Sequence, residues 1–433
     1  MSEGRIAYLN ARLLDPASGL DATGAVLVED GKIADFGPGL FKGGAPSVSR
    51  VIDCQGNCLS PGFIDMRVLV PEPGEEHKET FDSASEAALA GGITAYVCLP
   101  NTEPAIDNVA GVQYVARRAR DLKRAKAYCY GAITKGLEGK ELTELGLLHE
   151  AGALAFTDGD KAVANAKVMH RALSYSKAFD LLVVQHPAEP DLVGSGVMNK
   201  GELSSRLGLG GIPPEAEVMM IERDLRLVEM TGARYHVAHV STKMAVDVIR
   251  EAKRKGLKVT CDTAPHYFAL NETSVGDYRT FAKVSPPLRD EFDRRAIVEG
   301  LADGTIDLIA SDHIPHDQDS KRLPFALAEF GIIGMETLLA LTLELYHNGH
   351  LSLLDAIAKI TQKPAHVLRM GGGRLKRGEA ADLTIFDPDR PGTIREDGFR
   401  SKSNNSPYDG RPIQGRVMAT IVDGRMLFKD EGF

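Results

Sequence analysis

The sequence has no tryptophan and only 6% aromatic residues. None of its apolar runs reaches the roughly 18 residues needed to cross a bilayer, so a membrane-spanning role is not expected. Five cysteines, an odd number, are scattered at Cys54, Cys58, Cys98, Cys129 and Cys261 and make no disulfide framework. Cys54 and Cys58 have no second pair to complete a metal site, and all five read as buried, reduced thiols. Basic charge is also short: 51 Lys and Arg against 60 Asp and Glu leave a formal net charge of −9. Neither nucleic acid nor a membrane surface would meet an attractive field, so a small molecule or another protein is the expected partner. The start "MSEGRIAYLN" lacks a basic stretch followed by an apolar one, which makes the cytoplasm the default location. No internal repeat or low-complexity segment is present.

What remains is the composition of a globular protein, with 43% hydrophobic and 26% charged residues over 433 positions. Between roughly Gly62 and Ala365, short apolar runs ("AYVCLP", "KAYCYGAIT", "GALAFTD", "DLLVVQH", "RYHVAHVS", "LKVTCDTA", "TIDLIASD") alternate with longer amphipathic segments. Strand followed by helix, about eight times, predicts a (β/α)8 TIM barrel rather than an open doubly wound sheet, and no GxGxxG opens a helix after the first strand. The two ends read as short strands punctuated by Gly, Asp and Pro. Residues 1–58 plus 373–433 are therefore expected to form one small composite β domain, with residues 59–372 as the inserted barrel. The polar stretch "REDGFRSKSNNSPYDGRP" is expected to lie over the surface as a loop.

Barrel sites lie at the C-terminal ends of strands, so the polar residues that end each apolar run are the candidates. "DLLVVQH" ends in His186, "RYHVAHVS" carries His239, and "TIDLIASDHIPH" delivers Asp312, His313 and His316. Two imidazoles and a carboxylate converging on one rim suit a metal or a proton transfer. His236 lies three residues before His239 and should face the other way. His266 ends a further run, either in the site or supporting it. His77, His149, His170, His347 and His350 read as surface residues.

The blocks "PGFIDMRV", "EPGEEHKETFDSASEAALAGGIT", "LPNTEPAIDN", "HVAHVST", "SPPLR", "SDHIPH", "GIIGMET" and "GEAADLTIFDP" keep an order and spacing that resembles the type I dihydroorotases of the amidohydrolase superfamily. The resemblance covers nearly the whole chain. It implies a metal-bearing barrel with a small β domain built from both termini, and hydrolysis of the dihydroorotate ring amide by a two-zinc centre. It also implies that His186 and His239 match ligands of the second metal, that Asp312 matches the proton-shuttling carboxylate, and that Asn101 and His316 match groups contacting the substrate.

Four family features are replaced. An active member has "PGFVDLHVHLREPG" where this chain has "PGFIDMRVLVPEPG", so the HxH positions are Arg67 and Leu69, and the arginine that grips the substrate carboxylate is Pro71. A guanidinium has no lone pair to donate, and a leucine has no donor atom. A family "FSDDG" supplies a metal-bridging aspartate where "FTDGD" places Gly159, with Asp158 or Asp160 able to stand in only through a shift of register. The asparagine of "NPPLR" is Ser285.

These replacements lead to the expectation of no cofactor or at most one Zn2+, held by His186, His239 and Asp312, and of no two-metal centre. The expected function is that of a dihydroorotase-like protein of pyrimidine biosynthesis that no longer catalyses. It would act as a structural or regulatory partner of aspartate carbamoyltransferase, as inactive chains resembling it do, with a homo-oligomer the other assembly considered. The alternative is an active cyclic amide hydrolase using that single zinc. Burying an unpaired Arg67 beside a metal-free Asp312 would be costly, so the two are expected to pair, with Asp158 or Asp160 as the next partners for Arg67.

Overall fold

Strands buried on both faces read as unbroken apolar runs, and each of the runs above becomes a parallel strand or a strand remnant. The structure, a computed structural model, describes residues 4–44 and 47–433. Residues 1–3 and 45–46, part of the expected terminal β unit, lie outside the described residues. Strands Phe63–Val68, Ile93–Cys98 and Lys126–Cys129 pair in parallel, as do Leu182–Gln185, Arg234–Val237, Val259–Thr263 and Leu308–Ile309. Single parallel bridges complete the ring. Phe156 bridges Gly131 on one side and Val183 on the other, and Val68 bridges His313. The result is a (β/α)8 barrel whose fourth strand has shrunk to Phe156, directly before the "TDGD" segment.

Helices surround the ring and start close to the rim that carries the candidate residues. Lys243–Arg254, for example, buries Ala245, Val246, Ile249 and Ala252, a helical stripe facing the strands. Its first turn is capped by Thr242, whose hydroxyl accepts from the Ala245 N–H at 3.2 Å. A cap of this kind contributes about 1 kcal/mol and fixes where the chain turns after His239.

Both ends of the chain meet in one eight-stranded sheet. Ile6–Asp15 pairs antiparallel with Leu20–Glu29 and in parallel with Arg50–Asp53 and Cys58–Pro61. Cys58–Pro61 pairs antiparallel with Leu383–Thr393, which continues to Pro412–Val422 and Arg425–Lys429. Tyr8, Leu13, Val26, Leu383, Ile385 and Ile421 form the core of this sheet. All five cysteines are free and buried, and burial pushes the thiols of Cys54, Cys58, Cys129 and Cys261 up to about 12. Among the described residues no helix is long and apolar enough to cross a membrane.

The polar stretch expected over the surface is instead built into the barrel rim. Ser403, Asn405 and Ser406 are buried. Asn405 Nδ2 donates to the carbonyls of Ile314 and Gly331, its Oδ1 accepts from the His316 N–H, and Ser403 Oγ donates to the Lys78 carbonyl. Polar side chains were the right composition for this position because they satisfy loop backbone groups that the fold removes from water.

Candidate functional site at the barrel mouth

Asp65 and Arg67 both lie on Phe63–Val68, a strand buried along its full length. The Asp65 carboxylate accepts the N–H of Arg67 at 3.2 Å and that of Ser311 at 3.1 Å, tying the first strand to the last. Its own burial pushes its pKa up to about 6. Two residues further on the same face, Arg67 Nε donates to Asp312 Oδ1 at 2.7 Å, with both side chains no more than 4% exposed. The second guanidinium arm approaches the Gly159 carbonyl at 3.4 Å. Burial opposes the charge on each partner, but the attraction between them outweighs it. Arg67 holds its proton more tightly than usual, and Asp312 stays well below the usual carboxylate range.

The strand-end histidines gather around this pair. His186 Nδ1 is 2.8 Å from His239 Nε2, His239 Nδ1 is 3.5 Å from Asp312 Oδ2, and His266 Nε2 is 3.8 Å from the same oxygen. Burial, then the neighbouring His239 and Arg67, push the His186 imidazole well below its ordinary range, and burial lowers His266 to about 4. His236 turns the other way, as alternation along the strand requires, with its Nε2 2.8 Å from Asp262 Oδ2. Asp262 Oδ1 in turn accepts the His239 N–H at 2.7 Å. Asp262 was not singled out in the sequence, although "TCDTA" places an acid on the strand next to both histidines.

The remaining candidates are held away from Asp312. Asp158 Oδ1 accepts the Thr134 N–H at 2.9 Å and Oδ2 accepts the Thr134 hydroxyl, so this carboxylate is committed to the neighbouring loop. Asp160 is exposed and takes a hydrogen bond from Asn101 Nδ2. Neither replaces the missing carboxylate at Gly159. Gly159 has a left-handed φ of 72°, and a Cβ there would lie 1.5 Å from Asn101 Oδ1, so the Asn101 amide fills the volume a side chain would need. Leu69 is half-buried against other apolar side chains and Pro71 is buried. His316 places Nε2 on the Phe330 carbonyl at 2.8 Å, and His313 lies 3.5 Å from Glu79 on the far side of the last strand end.

Two zinc ions, implied by family resemblance, do not fit these residues. The first strand offers a guanidinium and a leucine where two imidazoles would be needed. Two nitrogens on one zinc at ~2.0 to 2.1 Å would stand roughly 3.3 Å apart, whereas the facing nitrogens of His186 and His239 are in hydrogen-bond contact. Among the described residues, no group of three or more His, Cys, Asp or Glu side chains is arranged to hold a metal ion.

A closed parallel barrel, a two-ended β sheet and strand-end histidines around an aspartate define the cyclic amidohydrolase architecture. L-Hydantoinase (dihydropyrimidinase) from Arthrobacter aurescens shares it with a TM-score of 0.87 at 25% identity, over 98% of this chain and 96% of that one. The dihydropyrimidinase of Brevibacillus agri, 22% identical, shares the fold at a TM-score of 0.85 over 99% of this chain and 95% of that one. A family profile described as "Dihydro-orotase-like" matches residues 56–245. A dihydroorotase from Anaplasma phagocytophilum is 47% identical over 99% of this chain and 96% of its own length, and one from Syntrophotalea carbinolica is 48% identical over 98% and 99%. The chain belongs to the dihydroorotase family.

Proposed function

We propose that this protein is a dihydroorotase-family member of pyrimidine biosynthesis in which a fixed cation has replaced the metal charge, leaving a folded but non-catalytic barrel mouth. The observation that carries the reading is the buried 2.7 Å contact between Arg67 and Asp312. A carboxylate engaged by a permanent cation and held far below its usual pKa has little basicity left for moving a proton to a leaving nitrogen. Pro71 further lacks the forked donor that would grip a substrate carboxylate. The role that fits a retained barrel without this chemistry is that of a structural or regulatory partner of aspartate carbamoyltransferase.

Metal analysis of the unchelated protein, a dihydroorotate hydrolysis assay and co-migration with aspartate carbamoyltransferase on size exclusion test this together. Substoichiometric zinc, no turnover and a shared peak are expected. About one zinc per chain with turnover would instead establish the single-metal enzyme, in which His186, His239 and Asp312 rearrange around the ion. That second reading is favoured by their present clustering.

A further inference from the structure

Charge is concentrated a second time at the opposite end of the barrel. Leu182, Arg234 and Val259 each open a strand, so the cavity they line lies at the N-terminal face, away from Arg67 and Asp312. It measures about 610 Å3, within the range of small-molecule sites. Leu182 and Val259 contribute apolar surface, while Arg234, Lys258, Arg369 and Arg374 contribute four cations and no carboxylate lines it. In a chain with a net charge of −9, this excess is local rather than a reflection of overall composition.

Among the described residues, only two of these four cations form salt bridges, although Asp180 also attracts Arg234 and Lys258. Arg369 pairs with Asp180 and Arg374 with Glu379. Among the described residues Arg234 forms no salt bridge, and it donates to the carbonyls of Asp180 at 3.1 Å and Val367 at 2.6 Å. Lys258 forms no salt bridge among the described residues; the adjacent Lys177 depresses its proton affinity, and the attraction of Asp180 offsets this only in part. Burial and then Arg369 do the same to Arg234. The turn Met370–Gly373 borders the cavity, with Gly372 and Gly373 both left-handed at φ 92° and 67°. The N–H groups of Gly371, Gly372 and Gly373 donate no hydrogen bond within the described protein. Glycine backbone at Gly372 and Gly373 beside cations without a salt bridge suits an anion, because bare backbone lets an oxyanion approach N–H groups.

We propose that this cavity binds a phosphate-bearing small molecule, its anionic group met by Arg234, Lys258 and the backbone at Gly372 and Gly373. The doubly charged, three-oxygen head of a phosphate matches two cations without a salt bridge plus backbone donors better than a carboxylate does. The remaining volume, with its apolar surface, accepts the body that carries the phosphate.

Isothermal titration of the full chain with inorganic phosphate, a nucleoside monophosphate and the matching nucleoside is the test. Both phosphate-bearing probes should bind saturably with one site per chain, the nucleotide at least as tightly as phosphate, and the nucleoside should not bind. Lys258→Glu, at an exposed position where folding is safe, should weaken both at least tenfold, and Arg234→Gln likewise, while Lys140→Glu, the same charge change on the exposed loop beyond the opposite end of strand Lys126–Cys129, leaves binding unchanged. Absence of saturable binding, unaltered affinity in Lys258→Glu, exclusion of the nucleotide while phosphate binds, or loss of binding in Lys140→Glu would each overturn the assignment.

Discussion

The facing nitrogens of His186 and His239 are 2.8 Å apart and their ring centroids 4.9 Å, so one imidazole donates to the other within the barrel mouth. The two rings thereby share one hydrogen bond without an ion. Arg67 completes the arrangement by meeting Asp312, whose carboxylate approaches the rings of both His239 and His266. The mouth is thus held by a few buried links, while among the described residues His239 Nδ1 and both nitrogens of His266 have no hydrogen-bond partner, and each link predicts a measurable effect.

Arg67→Met removes one half of a buried ion pair and leaves the other half behind. Equilibrium denaturation should show a loss of about 3 to 5 kcal/mol. Combining it with Asp312→Asn should recover part of that loss, because the abandoned charge is also gone. A single mutant within about 0.5 kcal/mol of the parent would mean the pair contributes nothing to stability.

On the proposed non-catalytic reading, Arg67→His with Leu69→His should not give good turnover, even with zinc supplied. Pro71 still offers no fork to hold and orient a substrate carboxylate and Gly159 no carboxylate to bridge metals, and extra imidazoles replace neither. Steady-state hydrolysis of dihydroorotate checks this, and a rate near ~10 per second would show that the rest of the machinery had survived.

Gly159→Asp should destabilise the protein by about 1 to 3 kcal/mol, since it adds a side chain at a left-handed position and on top of Asn101. In an Asn101→Gly background the steric part disappears, so the two changes should be non-additive in thermal or denaturant unfolding. Equal losses in both backgrounds would show that Asn101 does not occupy the space.

His316 is the place to read pH. Burial, and then Lys321, lower its pKa to about 4 from an ordinary value near 6.5; Nε2 lies on the Phe330 carbonyl and Nδ1 has no partner to hold a second proton. A depressed folded pKa means stability is present in full above about 6.5 and lost as pH falls toward 4, because only the unfolded chain takes up the proton. Between pH 6.5 and 4.5, His316→Gln should therefore lose about 2 kcal/mol less than the parent, up to ~1.4 per pH unit for one proton. Identical slopes in the two proteins would mean that His316 is protonated in the fold.

The barrel was legible because its strands are buried on both faces, so seven apolar runs and the "PGFIDMRV" strand could be counted directly. The rim candidates followed from where those runs end, and the Arg67–Asp312 contact from the expense of leaving either charge alone in the interior. Spacing could not reveal Asp262 as the residue that fixes both His236 and His239. Nor could polarity alone distinguish a solvated loop from Ser403 and Asn405 packed into the rim. The cations of the lower cavity come from strand starts and from a turn more than a hundred residues later, so no local pattern announces them.

The first and last strands meet through the bridge between Val68 and His313, the links made by Asp65, and the ion pair between residues 245 positions apart. Contacts with so large a sequence separation carry a high loop-closure penalty and are made late on the way to the native state. The pair is therefore expected to be largely absent from the folding transition state. Its loss in Arg67→Met should appear mainly as faster unfolding, with the refolding rate almost unchanged, so that this one cation sets how long the closed barrel persists rather than how quickly it forms.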